Sequence, residues 1–110
     1  MSELTAWVWA FACTQAIEVP LYLRATGGSW RVSWAASMLT HPVVWFAFPH
    51  LCDAGLSYGA MVAAAEAFAV TAETWWLHRA GVPRALVWSL LANAASATTG
   101  LVLRDLFGMP

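Results

Sequence analysis

Three glutamates, Glu18, Glu66 and Glu73, stand inside stretches of sequence that are otherwise apolar, together with one histidine, His41, and one asparagine, Asn93. A carboxylate at the centre of a bilayer costs at least ~2.5–3.5 kcal/mol, so each acid needs a partner, a proton or water. No arginine falls deep within any of these stretches, and His41 is the one basic group at comparable depth. At least two of the carboxyls are therefore expected to hold a proton at neutral pH. A group in that condition exchanges a proton or a cation for little energy. Ion transfer is the chemistry these residues suggest, with Glu18 and Glu73 as paired exchange sites, Glu66 and His41 as a relay, and Asn93 as a neutral partner.

Their neighbours are polar at helical spacing. Thr14 and Glu18 are four apart, as are Ser33, Ser37 and His41 in succession, and Ser89, Asn93, Ser96 and Gly100 step by four, three and four. Each set shares one helical face. Glu66 and Glu73, seven apart, share another. Thr14, Ser37, Ser89 and Ser96 are the supporting polar residues of the proposed pathway. Small and hydroxyl residues also let membrane helices approach closely and bond across the contact. The competing reading follows from that: protonated glutamates act only as hydrogen-bonding groups between helices, or toward a partner subunit. Pro20 and Pro42 lie beside Glu18 and His41 and release the carbonyls of Ala16 and Met38 from helical bonding.

Other chemistries find no support. His41, His50 and His78 lie at three different depths, so no pair can hold a haem, and no spacing of ligands suggests a metal. No cofactor is expected. Neither Gly-x-Ser-x-Gly nor His-Glu-x-x-His occurs, and no catalytic residue is assigned. Cys13 and Cys52 read as small apolar side chains rather than a disulfide pair. No nucleic-acid partner is expected.

The elements that position these residues follow from composition. Of 110 residues 61% are hydrophobic and 10% charged, where a soluble domain carries about a quarter as charged residues. Eleven charges, five basic and six acidic, are too few to coat a soluble surface. About 20 apolar residues cross a bilayer as a helix. Four such stretches fit, at about 4–23, 31–51, 57–77 and 84–103, separated by short polar or glycine-containing connections. The expected fold is an all-α integral membrane protein, one domain, with four transmembrane helices as a bundle. Arg24, Arg31, Arg79 and Arg84 flank the first and third connections, which places those in the cytoplasm and both termini outside. Trp30, Trp75, Trp76 and Trp88 belong to the inner belt of this arrangement, Trp7 and Trp9 to the outer. At 1.5 Å per residue, Glu66, His41 and Asn93 fall near the midplane, and Glu18 and Glu73 about two turns inside the cytoplasmic boundary. The polar column is thus expected to run from the midplane to the cytoplasm.

The chain also repeats itself. Glu18, Arg24-Ala25 and Arg31 correspond to Glu73, Arg79-Ala80 and Arg84, and the alignment continues with Ser37 on Ser89 and His41 on Asn93. Two hairpins of equal orientation imply a parallel repeat with a pseudo-twofold axis along the membrane normal, an arrangement familiar in transporters. In size, span number and the glutamate of the first helix, in its Ala-Ile-Glu-Val setting, the chain resembles the small multidrug resistance transporters. Its third helix lacks the Trp-rich, Gly-containing motif of that family and carries carboxylates where the family has none. The likeness implies an architecture and no membership. A bacterial-type inner-membrane protein is expected, its partners the lipid bilayer and further copies of itself or a larger membrane complex.

Overall fold

The computed structural model describes residues 2–108, and among these it is all helical, with four long helices, one short helical turn and no strands. The elements are α1 (Glu3–Thr26), α2 (Trp30–Phe46), α3 (His50–Asp53), α4 (Tyr58–Arg79) and α5 (Ala85–Phe107). Serine starts three of the long helices. The hydroxyl oxygens of Ser2, Ser29 and Ser57 accept from the amides of Thr5, Val32 and Ala60. Each satisfies an amide that has no partner within its own helix.

The connections at one end of the bundle share a device. After α1, Gly27 adopts a left-handed φ of 70° and the Gly28 amide reaches back to Leu23 O at 2.8 Å. After α4, Gly81 has φ 82° and the Val82 amide reaches Leu77 O at 3.0 Å. Left-handed backbone at this position suits glycine and lets the chain turn sharply. The helices therefore end where the sequence supplies glycine.

At the other end the second helix is shorter than its apolar run of 31–51 suggests. It stops at Phe46, and a turn leads into α3. Pro49 has no amide hydrogen to continue the helix and biases Phe48 before it away from helical backbone. Pro20 and Pro42, by contrast, are carried inside α1 and α2. The other boundaries lie within a few residues of those expected.

The four long helices form a ring in which α1 packs on α2 and α5, and α4 packs on α2 and α5. Neighbours are antiparallel, and the bundle measures 38 × 25 × 21 Å. Its interior is unusually polar. Among the described residues, eight of the eighteen that are buried are Gln15, Glu18, Ser33, Ser37, Thr40, Glu73, Ser89 and Asn93. Exposed large apolar side chains run along the outer faces of α2 and α5, among them Trp34, Leu39, Val43, Leu86, Leu90 and Val102, whereas α1 shows them in its first turns, at Leu4, Val8 and Trp9, and α4 at Tyr58 and Trp75. One helix, Ala85–Phe107, is by itself long and apolar enough to cross a membrane, and 17% of that stretch is buried.

Candidate functional site

The sequence places Glu18 about two thirds of the way along α1 and Glu73 in the last third of α4, and the ring turns both toward the centre, where each is almost wholly buried. Both oxygens of each carboxyl are occupied. Glu18 accepts from Ser37 Oγ at 2.6 Å and from Ser96 Oγ at 2.5 Å. Glu73 accepts from Thr40 Oγ1 at 2.6 Å on one oxygen, and from Tyr22 Oη at 2.5 Å and Asn93 Nδ2 at 3.1 Å on the other. No lysine exists in the chain, and the ion pair found among the described residues is His50 with Asp53, on the surface. The carboxyls are held by neutral donors alone.

Four of those five donors come from two helices in one pattern, and the fifth, Tyr22, stands on α1. On α2, Ser37 serves Glu18 and Thr40, three residues on, serves Glu73. On α5, Asn93 serves Glu73 and Ser96, three residues on, serves Glu18. Residues three apart lie on one helical face, so each helix aims one donor at the acid of its own hairpin and one at the acid of the other. Burial follows the same correspondence: Ser33, Ala36 and Ser37 on α2, and Ser89, Ala92 and Asn93 on α5, are buried at identical spacing.

This register differs by one helical turn from the sequence alignment, which sets Ser37 on Ser89 and His41 on Asn93. The structure instead matches Ser33 with Ser89 and Ser37 with Asn93. The alignment is anchored on Arg31 and Arg84, and these occupy unlike positions. Arg31 lies in the first turn of α2, whereas Arg84 precedes α5 with a left-handed φ of 56°. Ser37 and Asn93 do the same work with different side chains, which residue identity cannot register.

All five residues of the expected pathway meet at one place. A cavity of about 120 Å³, room for several water molecules, is lined by Glu18, Glu66, Glu73, His41 and Asn93, with Thr14, Thr40 and Ser96 completing its polar wall. Ser37 binds Glu18 away from this lining, and Ser89 donates to Val70 O at 3.0 Å. His41 makes no bond to an acid. Its ring packs against Phe11, Trp7 and Trp45, and its Nδ1 is buried without a hydrogen-bond partner among the described residues.

The open space beyond this cavity leads away from the arginine-flanked connections. Glu66, His41, Thr14 and Ser96 also line a second cavity, a crevice of about 910 Å³ that extends past Trp9, Trp45 and Tyr58 to α3 and the last turns of α5. Toward the arginine-flanked end the interior is close-packed instead, and its buried serines, Ser33 and Ser89, donate to backbone oxygens. Tyr22, Leu77, Val82, Ala85, Ala36 and Ala92 pack there as a cluster, with Trp76 and Trp88 against it. Glu18 and Glu73 stand one turn before Tyr22 and Leu77 of this cluster, and the stripe of acids says nothing about what fills the last two turns.

Two side chains that bond Glu73 escape the sequence reading. Tyr22 follows Glu18 by four residues and Thr40 follows Ser37 by three, so helical spacing was the available signal. Tyrosine and threonine draw no attention in an apolar run, and Tyr22 crosses the bundle to bind the acid of the other hairpin. Comparison with protein-family models, curated proteins and solved structures finds no match for the chain.

Proposed function

We propose that the chain is a four-span membrane protein that passes protons, or a cation in their place, through the Glu18–Glu73 core. The observation that carries this reading is a pair of buried carboxyls, held by neutral donors alone, that face a polar cavity. Acids serving as structural ion-pair partners would face cations. These face room for water and a crevice that leads away from them.

The membrane setting is supported by the inverted distribution of polarity. A soluble bundle hides its leucines and exposes its charges, whereas here the glutamates and serines are inside and the large apolar side chains outside. The long dimension of 38 Å is enough for a hydrocarbon core of about 30 Å. Of the other long helices, α2 is only 17 residues long, and α1 and α4 carry the glutamates of the core within their length. Arg24, Arg31, Arg79 and Arg84 assign the sealed end to the cytoplasm and the crevice to the outside. The donor pattern of α2 and α5 supports two equivalent hairpins related by a pseudo-twofold axis along the bundle. Four short helices make a thin bundle, and a homo-oligomer or a larger membrane complex is its proposed setting.

A second reading is favoured by one feature: both oxygens of both carboxyls are already bonded, which is what a purely structural subunit or assembly factor requires. Substitution separates the two. Glu18→Gln and Glu73→Gln keep shape and hydrogen-bonding capacity but cannot ionise. Both variants should assemble normally and lose ion flux in liposomes, while Glu18→Ala and Glu73→Ala should also lose stability. Flux in the Gln variants equal to that of the wild type rejects exchange through the two acids and leaves them a structural role. For the membrane arrangement, single cysteines near Gly27 and Gly81 should label only from the cytoplasm and one at Asp53 only from outside. Labelling of Gly27 from outside overturns the orientation.

A further inference from the structure

We infer that Thr40 and Ser96 are the switching hydroxyls of the core, which allow each carboxyl to gain or lose a proton without parting the two hairpins. The inference rests on the proposed exchange role of Glu18 and Glu73 and names the groups that regulate it. Thr40 Oγ1 stands 2.6 Å from Glu73 and 3.4 Å from the backbone oxygen of Ser37. Ser96 Oγ stands 2.5 Å from Glu18 and 3.3 Å from the backbone oxygen of Asn93. Each hydroxyl thus has two acceptors on offer: the acid of the opposite hairpin, and a carbonyl three residues back on its own helix. A hydroxyl has one hydrogen to give and can also accept.

The consequence is a change of direction rather than a broken contact. With the carboxylate charged, the hydroxyl donates to it. When a proton arrives from the cavity on the carboxylate oxygen facing Thr40 or Ser96, the new O–H donates to the hydroxyl oxygen. The hydroxyl hydrogen then turns to the carbonyl of Ser37 or Asn93. One proton is gained, no covalent bond other than the new O–H changes, and the bridge between hairpins persists in both states. The amide that holds Glu73 lacks this option. The Asn93 amide nitrogen only donates, to Glu73 and to Ser89 O at 2.9 Å.

The two switches are also coupled. The carbonyl that receives the Thr40 hydrogen belongs to Ser37, whose hydroxyl holds Glu18. The carbonyl that receives the Ser96 hydrogen belongs to Asn93, whose amide holds Glu73. Loading either acid therefore repolarises the residue that holds the other. The remaining titratable groups around the pair are Tyr22 from α1, His41 from α2 and Glu66 from α4, and α5 presents only neutral groups to the cavity.

The test is infrared titration of the protonated-carboxyl band in reconstituted protein. The wild type should show a band that changes with pH. Thr40→Val and Ser96→Ala, which remove the hydroxyl, should move its midpoint by about one pH unit, a tenfold change in proton affinity. Thr40→Ser and Ser96→Thr should restore it. Ser33→Ala removes a buried hydroxyl bonded to Ser29 O at 2.6 Å and should leave the midpoint unchanged. Ser96→Ala deletes one oxygen at a half-buried position and decides the matter should Thr40→Val fail to fold. A wild-type band indifferent to pH, or hydroxyl-less variants that titrate as the wild type does, overturns the switch. Titration as expected without flux in liposomes would keep the switch and reject transport. Flux with unshifted titration in the variants would do the reverse.

Discussion

In the hairpin of α1 and α2, Glu18 takes a hydrogen bond from Ser37 and the hairpin lends Thr40 to its counterpart; in that of α4 and α5, Glu73 takes one from Asn93 and the hairpin lends Ser96. Away from the carboxyls the equivalence fails on both sides. One turn beyond Glu18 stands Tyr22, and one turn beyond Glu73 stands Leu77, both fully buried. Toward the crevice, the first hairpin supplies His41 among aromatic rings and the second supplies Glu66. An equal pair of acids is thus set between unequal surroundings. The symmetric part of the molecule holds the carboxyls, and the asymmetric parts give them a packed neighbour on one side and a cavity on the other.

The largest expected effect lies at the seal. Tyr22→Ala should lose about 3–5 kcal/mol and Leu77→Ala about 2–5 kcal/mol, by the usual costs of emptying a buried aromatic or aliphatic site. Tyr22→Ala should be the worse of the two because it also removes a donor from Glu73. Denaturant unfolding in detergent measures both. A tyrosine variant milder than its leucine counterpart would mean that the seal does not depend on the Tyr22–Glu73 bond.

Next in size is Tyr22→Phe, which keeps the ring and deletes the hydroxyl. Loss of one donor to a buried carboxyl predicts about 1.5–3 kcal/mol if the acid is charged and nearer 1 kcal/mol if it is neutral. The same unfolding measurement therefore reports the charge state of Glu73. A silent substitution would remove the one hydrogen bond that distinguishes the two acids.

The smallest effects test the register. Ser33 and Ser89 both donate to backbone carbonyls, at Ser29 and Val70, and neither touches an acid. Ser33→Ala and Ser89→Ala should each cost about 0.5–1.5 kcal/mol and leave any flux intact. Ser37→Ala should behave unlike Ser89→Ala, despite their alignment in sequence, since it deprives Glu18 of a donor. Equal behaviour of Ser37→Ala and Ser89→Ala in flux would favour the sequence register over the structural one.

Much of this was legible in the residues because burying a carboxyl is costly enough to constrain its surroundings. The four helical stretches, the inward glutamates and the polar face of α5 all follow from that cost and from helical spacing. The end of α2 at Phe46 was also within reach, since Pro49 stands in plain view. What could not be read was pairing across the bundle. Thr40 bonding to Glu73 and Ser96 to Glu18 depend on which helices are neighbours in the ring, and a stripe on one helix carries no such information. The direction of the cavity was hidden for the same reason. It depends on Tyr22 and Leu77 meeting Val82 and Ala85, all apolar or nearly so and unremarkable in a chain that is apolar almost throughout.

The most direct test of the central claim is decay of an imposed pH gradient across liposomes that contain the purified protein, compared with liposomes containing the Glu18→Gln, Glu73→Gln double variant. Both proteins should insert equally, as judged by their yield in the vesicles. The wild type should dissipate the gradient and the double variant should hold it at the rate of empty liposomes. A gradient lost equally fast with both proteins, or held equally well, would contradict an exchange role for the two acids.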